Sequence, residues 1–189
     1  MQLATALELP CFEHVNWETG LPHALEGGHV FITSEVDGWT FAVTSCPFDY
    51  HWEQSESGIV GRNLLRDLSR KFGTALYFAN DDDTRVHVWV RAKKGEIIRS
   101  YGFLQLYGPR MVCETGPLSA TEVELGVERL FNRNDESDQS RVGMAFPTTA
   151  YVLAVAEDWS LNPTSLESRN LERGVGLLGT LPDSYRCWD

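Results

Sequence analysis

Apolar residues in this chain recur at two periods, and those periods mark out its elements. The clearest helix spans residues 60–72, where Leu64, Leu65, Leu68 and Phe72 share one face and Gly73 ends the run. Arg62, Arg66 and Arg70 form a separate stripe at four-residue spacing on the same segment. Residues 29–34 and 39–44 alternate, with Asp37-Gly38 between them as a turn signal, which predicts a hairpin. Residues 74–79 predict a strand that Asn80-Asp81-Asp82-Asp83 breaks. Residues 85–92 and 96–104 predict a second hairpin about Lys94-Gly95. With a two-residue loop, Val86, Val88 and Val90 face Phe103, Tyr101 and Arg99, and His87, Trp89 and Arg91 point the other way. Residues 109–113 add an edge strand.

Ser119-Ala-Thr-Glu122 has the capping-box pattern and opens a helix. Thr148 or Thr149 caps another that runs to about Asp158, with Tyr151, Val152, Val155 and Ala156 as its apolar face. In residues 1–27 the pattern supports only a short helix through Leu3, Ala6 and Leu7, which Pro10 limits. Residues 46–58 and 132–140 read as loops, and 160–189 as an irregular segment with at most one short helix. The expected architecture is a single α+β domain over residues 1–189, with 62–113 at its centre. Its sheet, antiparallel or mixed, is built from two hairpins plus an extra strand, with about three helices packed on it.

A chain of 189 residues buries roughly 70% of its unfolded surface and needs no staples. Cys11, Cys46, Cys113 and Cys187 are too scattered for a CxxC metal or redox motif. With no apparent export signal, they read as reduced thiols, and the expected compartment is the cytoplasm. No segment approaches the roughly 20 apolar residues of a membrane span.

Charge changes the picture more than composition does. The net charge is −11, and residues 1–61 hold nine carboxylates without one Lys or Arg. These are Glu8, Glu13, Glu18, Glu26, Glu35, Asp37, Asp49, Glu53 and Glu56. Nucleic acid and anionic membrane are disfavoured as partners, because phosphate contacts need a basic footprint. A basic protein partner fits.

Candidate chemistry is sparse. His14, His23, His29 and His51 lie among the acids, but no pair has the spacing of a dedicated metal site, so no metal is expected. Asp81-Asp82-Asp83 lacks the alternation of a calcium loop and reads as a solvated turn compatible with a docking contact. Gly174-Val-Gly176-Leu-Leu-Gly179 matches a dinucleotide fingerprint in letters only, close to the C-terminus and before Pro182. No cofactor and no catalytic residue is expected. Arg85, His87, Trp89, Arg91, Arg99 and Tyr101 form the best polar-aromatic cluster. They either line a ligand cleft, with Arg85, His87, Trp89, Arg99 and Tyr101 as the site, or form a face where Trp89 packs and the arginines pair with the acidic third. Asp49, Tyr50, Trp52, Glu53 and Glu56 combine aromatic anchors with acids that steer a basic partner, and Asp81, Asp82 and Asp83 join them as candidate contacts.

Two stretches carry a resemblance. Phe72-Gly-Thr-Ala-Leu-Tyr77-Phe78, Val88-Trp89-Val90 and Gly95-Glu-Ile-Ile-Arg99-Ser-Tyr101-Gly-Phe103 resemble a strand-hairpin block of uncharacterised bacterial proteins. Ala156-Glu-Asp-Trp159-Ser160-Leu-Asn162-Pro163 resembles a Trp-Ser-x-Asp-Pro segment of the same set, with Asn162 in place of the acid. Such proteins look like the small acidic immunity proteins that accompany bacterial toxins. The resemblance implies a non-enzymatic inhibitor that covers a basic cleft, possessing a cognate toxin domain as partner, and carries no functional residue onto this chain. A small-anion enzyme using the 85–103 hairpin and an assembly or scaffold subunit remain alternatives, and the sequence leaves the oligomeric state open.

Overall fold

The computed structural model describes residues 2–45, 56–105, 110–130, 146–169 and 174–182. It is α+β, with two four-stranded antiparallel sheets. Contacts group the chain into two compact units, residues 1–49 with 164–189 and residues 50–163.

The first unit holds α1 (Gln2–Ala6), β1 (Phe12–Asn16), α2 (Trp17–Leu25), β2 (His29–Ile32), β3 (Ala42–Val43) and a late strand, Val175–Thr180. That strand is β8 in chain order, and the sheet runs β1-β8-β2-β3. The hairpin expected at Asp37-Gly38 is present, with Val36 and Trp39 bridged and both turn residues at positive φ. The expectation of an irregular 160–189 is corrected here: residues 163–169 form a 3-10 stretch and 175–180 a central strand. Of the fingerprint-like glycines, Gly176 and Gly179 lie in that strand and Gly174 just before it, and all three are closely packed. The Phe31 ring lies between α2 and β8, and a Cβ on Gly20 or Gly176 would stand 2.1 or 2.4 Å from it. Trp17 meets the same ring edge-on at 5.6 Å. Asn16 caps α2 by accepting from the Thr19 N–H.

The second unit contains α3 (Glu56–Phe72), then β4 (Thr74–Asp81), β5 (Val86–Lys93), β6 (Glu96–Leu104) and β7 (Arg110–Thr115) as a meander, then α4 (Ala120–Glu124) and α5 (Thr149–Trp159). Gly73, at φ +87, ends α3 where the apolar pattern stops. The Ser69 hydroxyl on α3 accepts from the Gly95 N–H, which ties the helix to the β5–β6 turn.

The register of that hairpin corrects the expected one. Lys94-Gly95 is a two-residue loop with both residues at positive φ, and Lys93 pairs with Glu96. A bulge between Arg91 and Ala92 then shifts the ladder by one residue. Trp89 pairs with Tyr101, His87 with Phe103 and Arg91 with Arg99, while Val88 and Val90 face Gly102 and Ser100. All the polar-aromatic residues of both strands therefore share one face. That face packs against Val127, Leu130, Val152, Val155 and Trp159 to form the core of this unit.

Candidate functional site

The shared face divides along its length. In the middle, Trp89 stacks on Tyr101 with ring centres 4.4 Å apart, and both are buried. Arg99 is 4% exposed and Glu122 wholly buried. Oε1 of Glu122 accepts from Trp89 Nε1 at 2.7 Å and Arg99 Nε at 2.8 Å, with Arg99 Nη2 also 2.8 Å away. Oε2 accepts from the Ser119 N–H at 2.8 Å, which completes the capping box of α4. Arg99 Nη1 donates to the carbonyls of Thr115 and Gly116. One carboxylate thus answers a buried cation, an indole and a helix start. Of the residues proposed for a ligand cleft, Trp89, Arg99 and Tyr101 are part of this internal network. Among the described residues the arginine's acidic partners are Glu122 and Glu114, and none comes from the first third. The Tyr101 hydroxyl is buried without a hydrogen-bond partner among the described residues, and desolvation drives its pKa far above the usual phenol range.

At the end of the same face the chemistry opens outward. Asp81 folds the β4–β5 connection onto itself: its carboxylate accepts from the Asp83 and Thr84 N–H groups and from the Thr84 hydroxyl. The Thr84 hydroxyl bond is the largest cause holding its pKa below the usual carboxylate range. Asp81 is therefore a turn residue, whereas Asp82 and Asp83 are exposed. Asp82 accepts from the Thr149 hydroxyl at 2.6 Å, which joins the turn to the start of α5. Arg85 adopts positive φ and donates Nη1 to Gln105. His87 is 3% exposed, and its Nδ1–H donates to Asn80 Oδ1 at 2.8 Å. Burial lowers its pKa, so the imidazole is held neutral. Asp82, Arg85 and His87, with Phe146 and residues 148–150 of the α5 start, line an open pocket of about 380 Å³. The sequence marked Arg85 and His87, and separately the cap at Thr148. Only the bulged register and the long-range Thr149 bonds bring them together.

The acidic first third behaves differently from these paired groups. Glu8, Glu13, Glu18, Glu26 and Glu35 are all exposed, and none takes part in an ion pair among the described residues. Glu13 sits on β1 at the sheet edge, Glu18 in the first turn of α2 and Glu26 at its C-cap. Asp49, Tyr50, Trp52 and Glu53 lie outside the described residues, and Glu56 opens α3. Among the described residues no three His, Cys, Asp or Glu side chains gather as a metal site, and no helix is long and apolar enough to cross a membrane.

No family model matches the chain, and neither a curated protein nor a solved structure matches it.

Proposed function

We propose that this protein is a non-enzymatic binding protein whose acidic first unit docks on a basic protein surface, as an inhibitor covering the cleft of a toxin or enzyme domain. The observation that carries the reading is the exposed carboxylate set of Glu8, Glu13, Glu18, Glu26 and Glu35, none of which forms an ion pair among the described residues. Residues 1–49 and 164–189 together contain eleven acids against three arginines, so their field is one-sided. A bare charge of one sign repels itself unless a partner of opposite sign covers it. Such a surface speeds and orients encounter more than it adds affinity. The burial of Trp89, Arg99 and Tyr101 supports the same reading, because it removes three of the five side chains that an enzymatic site on this hairpin would need.

Affinity capture from a native extract tests it, with the full chain as bait at low and high ionic strength. The expected result is one basic protein retained at low salt and released as salt rises. Retention of no basic protein at either salt overturns the reading.

A further inference from the structure

The first sheet ends on an open strand. In the order β1-β8-β2-β3, β1 pairs with β8 on one side, and no strand or loop among the described residues bonds to its other edge. The sheet's opposite edge, β3, is two residues long, whereas β1 is five. Phe12, Glu13, His14 and Asn16 are exposed, Phe12 at 43%. An exposed edge is a template for a further strand, and proteins usually blunt it with Lys, Pro or a bulge. β1 has none of these: it reads Phe-Glu-His-Val-Asn, and its register with β8 is unbroken.

Charge selects the occupant. Glu13 and Val15 share one face of β1, and Phe12, His14 and Asn16 share the other. Glu8 precedes the strand and Glu18 follows it in the first turn of α2. All three glutamates are exposed, and none forms an ion pair among the described residues. The chain has no Lys or Arg before Arg62. A second copy of this chain would lay the same acids against this edge, and like charges across a strand pair are destabilising. A strand with cations on the face it shares with Glu13 and apolar side chains beside Phe12 meets both demands.

We infer that the outer edge of β1 takes up an extended basic segment of the partner protein as a further strand of this sheet. This mode of docking rests on the role proposed above and specifies how the partner is held. Main-chain bonds to β1 supply affinity, and Lys or Arg alternating with apolar residues supplies the match.

The probe is a blocked peptide in which Lys alternates with Val, added to the full chain at low salt. Amide resonances of residues 12–16 should shift and saturate. The outward-facing amides among them should exchange with solvent at least about fivefold more slowly. The same peptide with every backbone N–H methylated keeps its charge and loses its donors, and should bind at least about tenfold more weakly. Glu in place of Lys should abolish binding. Glu13→Gln should weaken the parent peptide about threefold. Glu35→Gln makes the same charge change beyond β2, and should weaken it less than about twofold. Both glutamates are exposed, so the variants should keep the fold. Equal binding of the methylated peptide, shifts confined to residues outside β1, or no saturable shift each overturns the inference. So do concentration-dependent shifts of the β1 amides without peptide, which report a second copy on this edge. Equal binding of the methylated peptide leaves the docking role standing, because charge alone then recruits the basic chain. Failure to capture any basic protein removes that role itself.

Discussion

Glu122→Ala is the most informative single perturbation of the fold. The wild-type carboxylate accepts from Trp89, Arg99 and the Ser119 backbone, and it is wholly buried beside an arginine that is 4% exposed. Truncation leaves that guanidinium without its main counter-charge in a place water does not reach. Breaking a buried ion pair from one side costs about 3–5 kcal/mol. Losing the capping box adds about 1 kcal/mol. The total of about 4–6 kcal/mol rivals the whole stability of an ordinary domain, about 5–15 kcal/mol. Removing both charges is a different case. Arg99→Met with Glu122→Leu leaves no stranded ion and keeps apolar volume, so the double variant should lose less than the two single variants together. The excess, about 2–3 kcal/mol, is the coupling energy. Urea denaturation followed by near-ultraviolet circular dichroism reports on this core, because Trp89 stacks on Tyr101. A loss below about 1 kcal/mol for Glu122→Ala, or strict additivity in the double variant, would refute the argument.

Two further outcomes follow from the geometry. Gly176→Ala should destabilise the first unit by about 1–3 kcal/mol, because its Cβ has no room beside Phe31; an unchanged melting profile contradicts the packing described. His87 has its folded pKa below the ordinary 6.5, so the unfolded chain takes up its proton first as pH falls. Stability should therefore be intact above about pH 6.5 and decline on acidification below it, and His87→Gln should flatten that decline. A wild-type profile flat through this window, with the variant identical, removes His87 as the cause.

Much of the second unit was legible because its signals are local. Leu64, Leu65, Leu68 and Phe72 before Gly73, the Ser119–Glu122 box and the Thr148 cap each declare an element within a few residues. The bulge at Arg91 and Ala92 left no such mark, and it alone decides which side chains share a face. The first unit was harder to read. β8 lies more than 140 residues beyond the strands it pairs with, and its glycines resemble a loop until Phe31 is placed against them. α2 contains Pro22 and buries only Trp17, Gly20 and Ala24, so its apolar stripe is faint. In the candidate site, Arg85 and His87 stood out by type. Their relation to the α5 start depends on Asn80 and Asp82 reaching Thr149, a contact across nearly 70 residues that no sequence pattern encodes.

The proposed docking role rests on the exposed glutamates of the first unit that form no ion pair among the described residues, and association kinetics address them most directly. A variant with Glu8, Glu13, Glu18, Glu26 and Glu35 all changed to Gln should fold, since each is exposed and outside any ion pair among the described residues. Against the captured basic protein, its association rate should drop at least about tenfold at low salt and lose most of its salt dependence, with a smaller change in dissociation. An association rate and salt slope equal to those of the wild type would contradict the account.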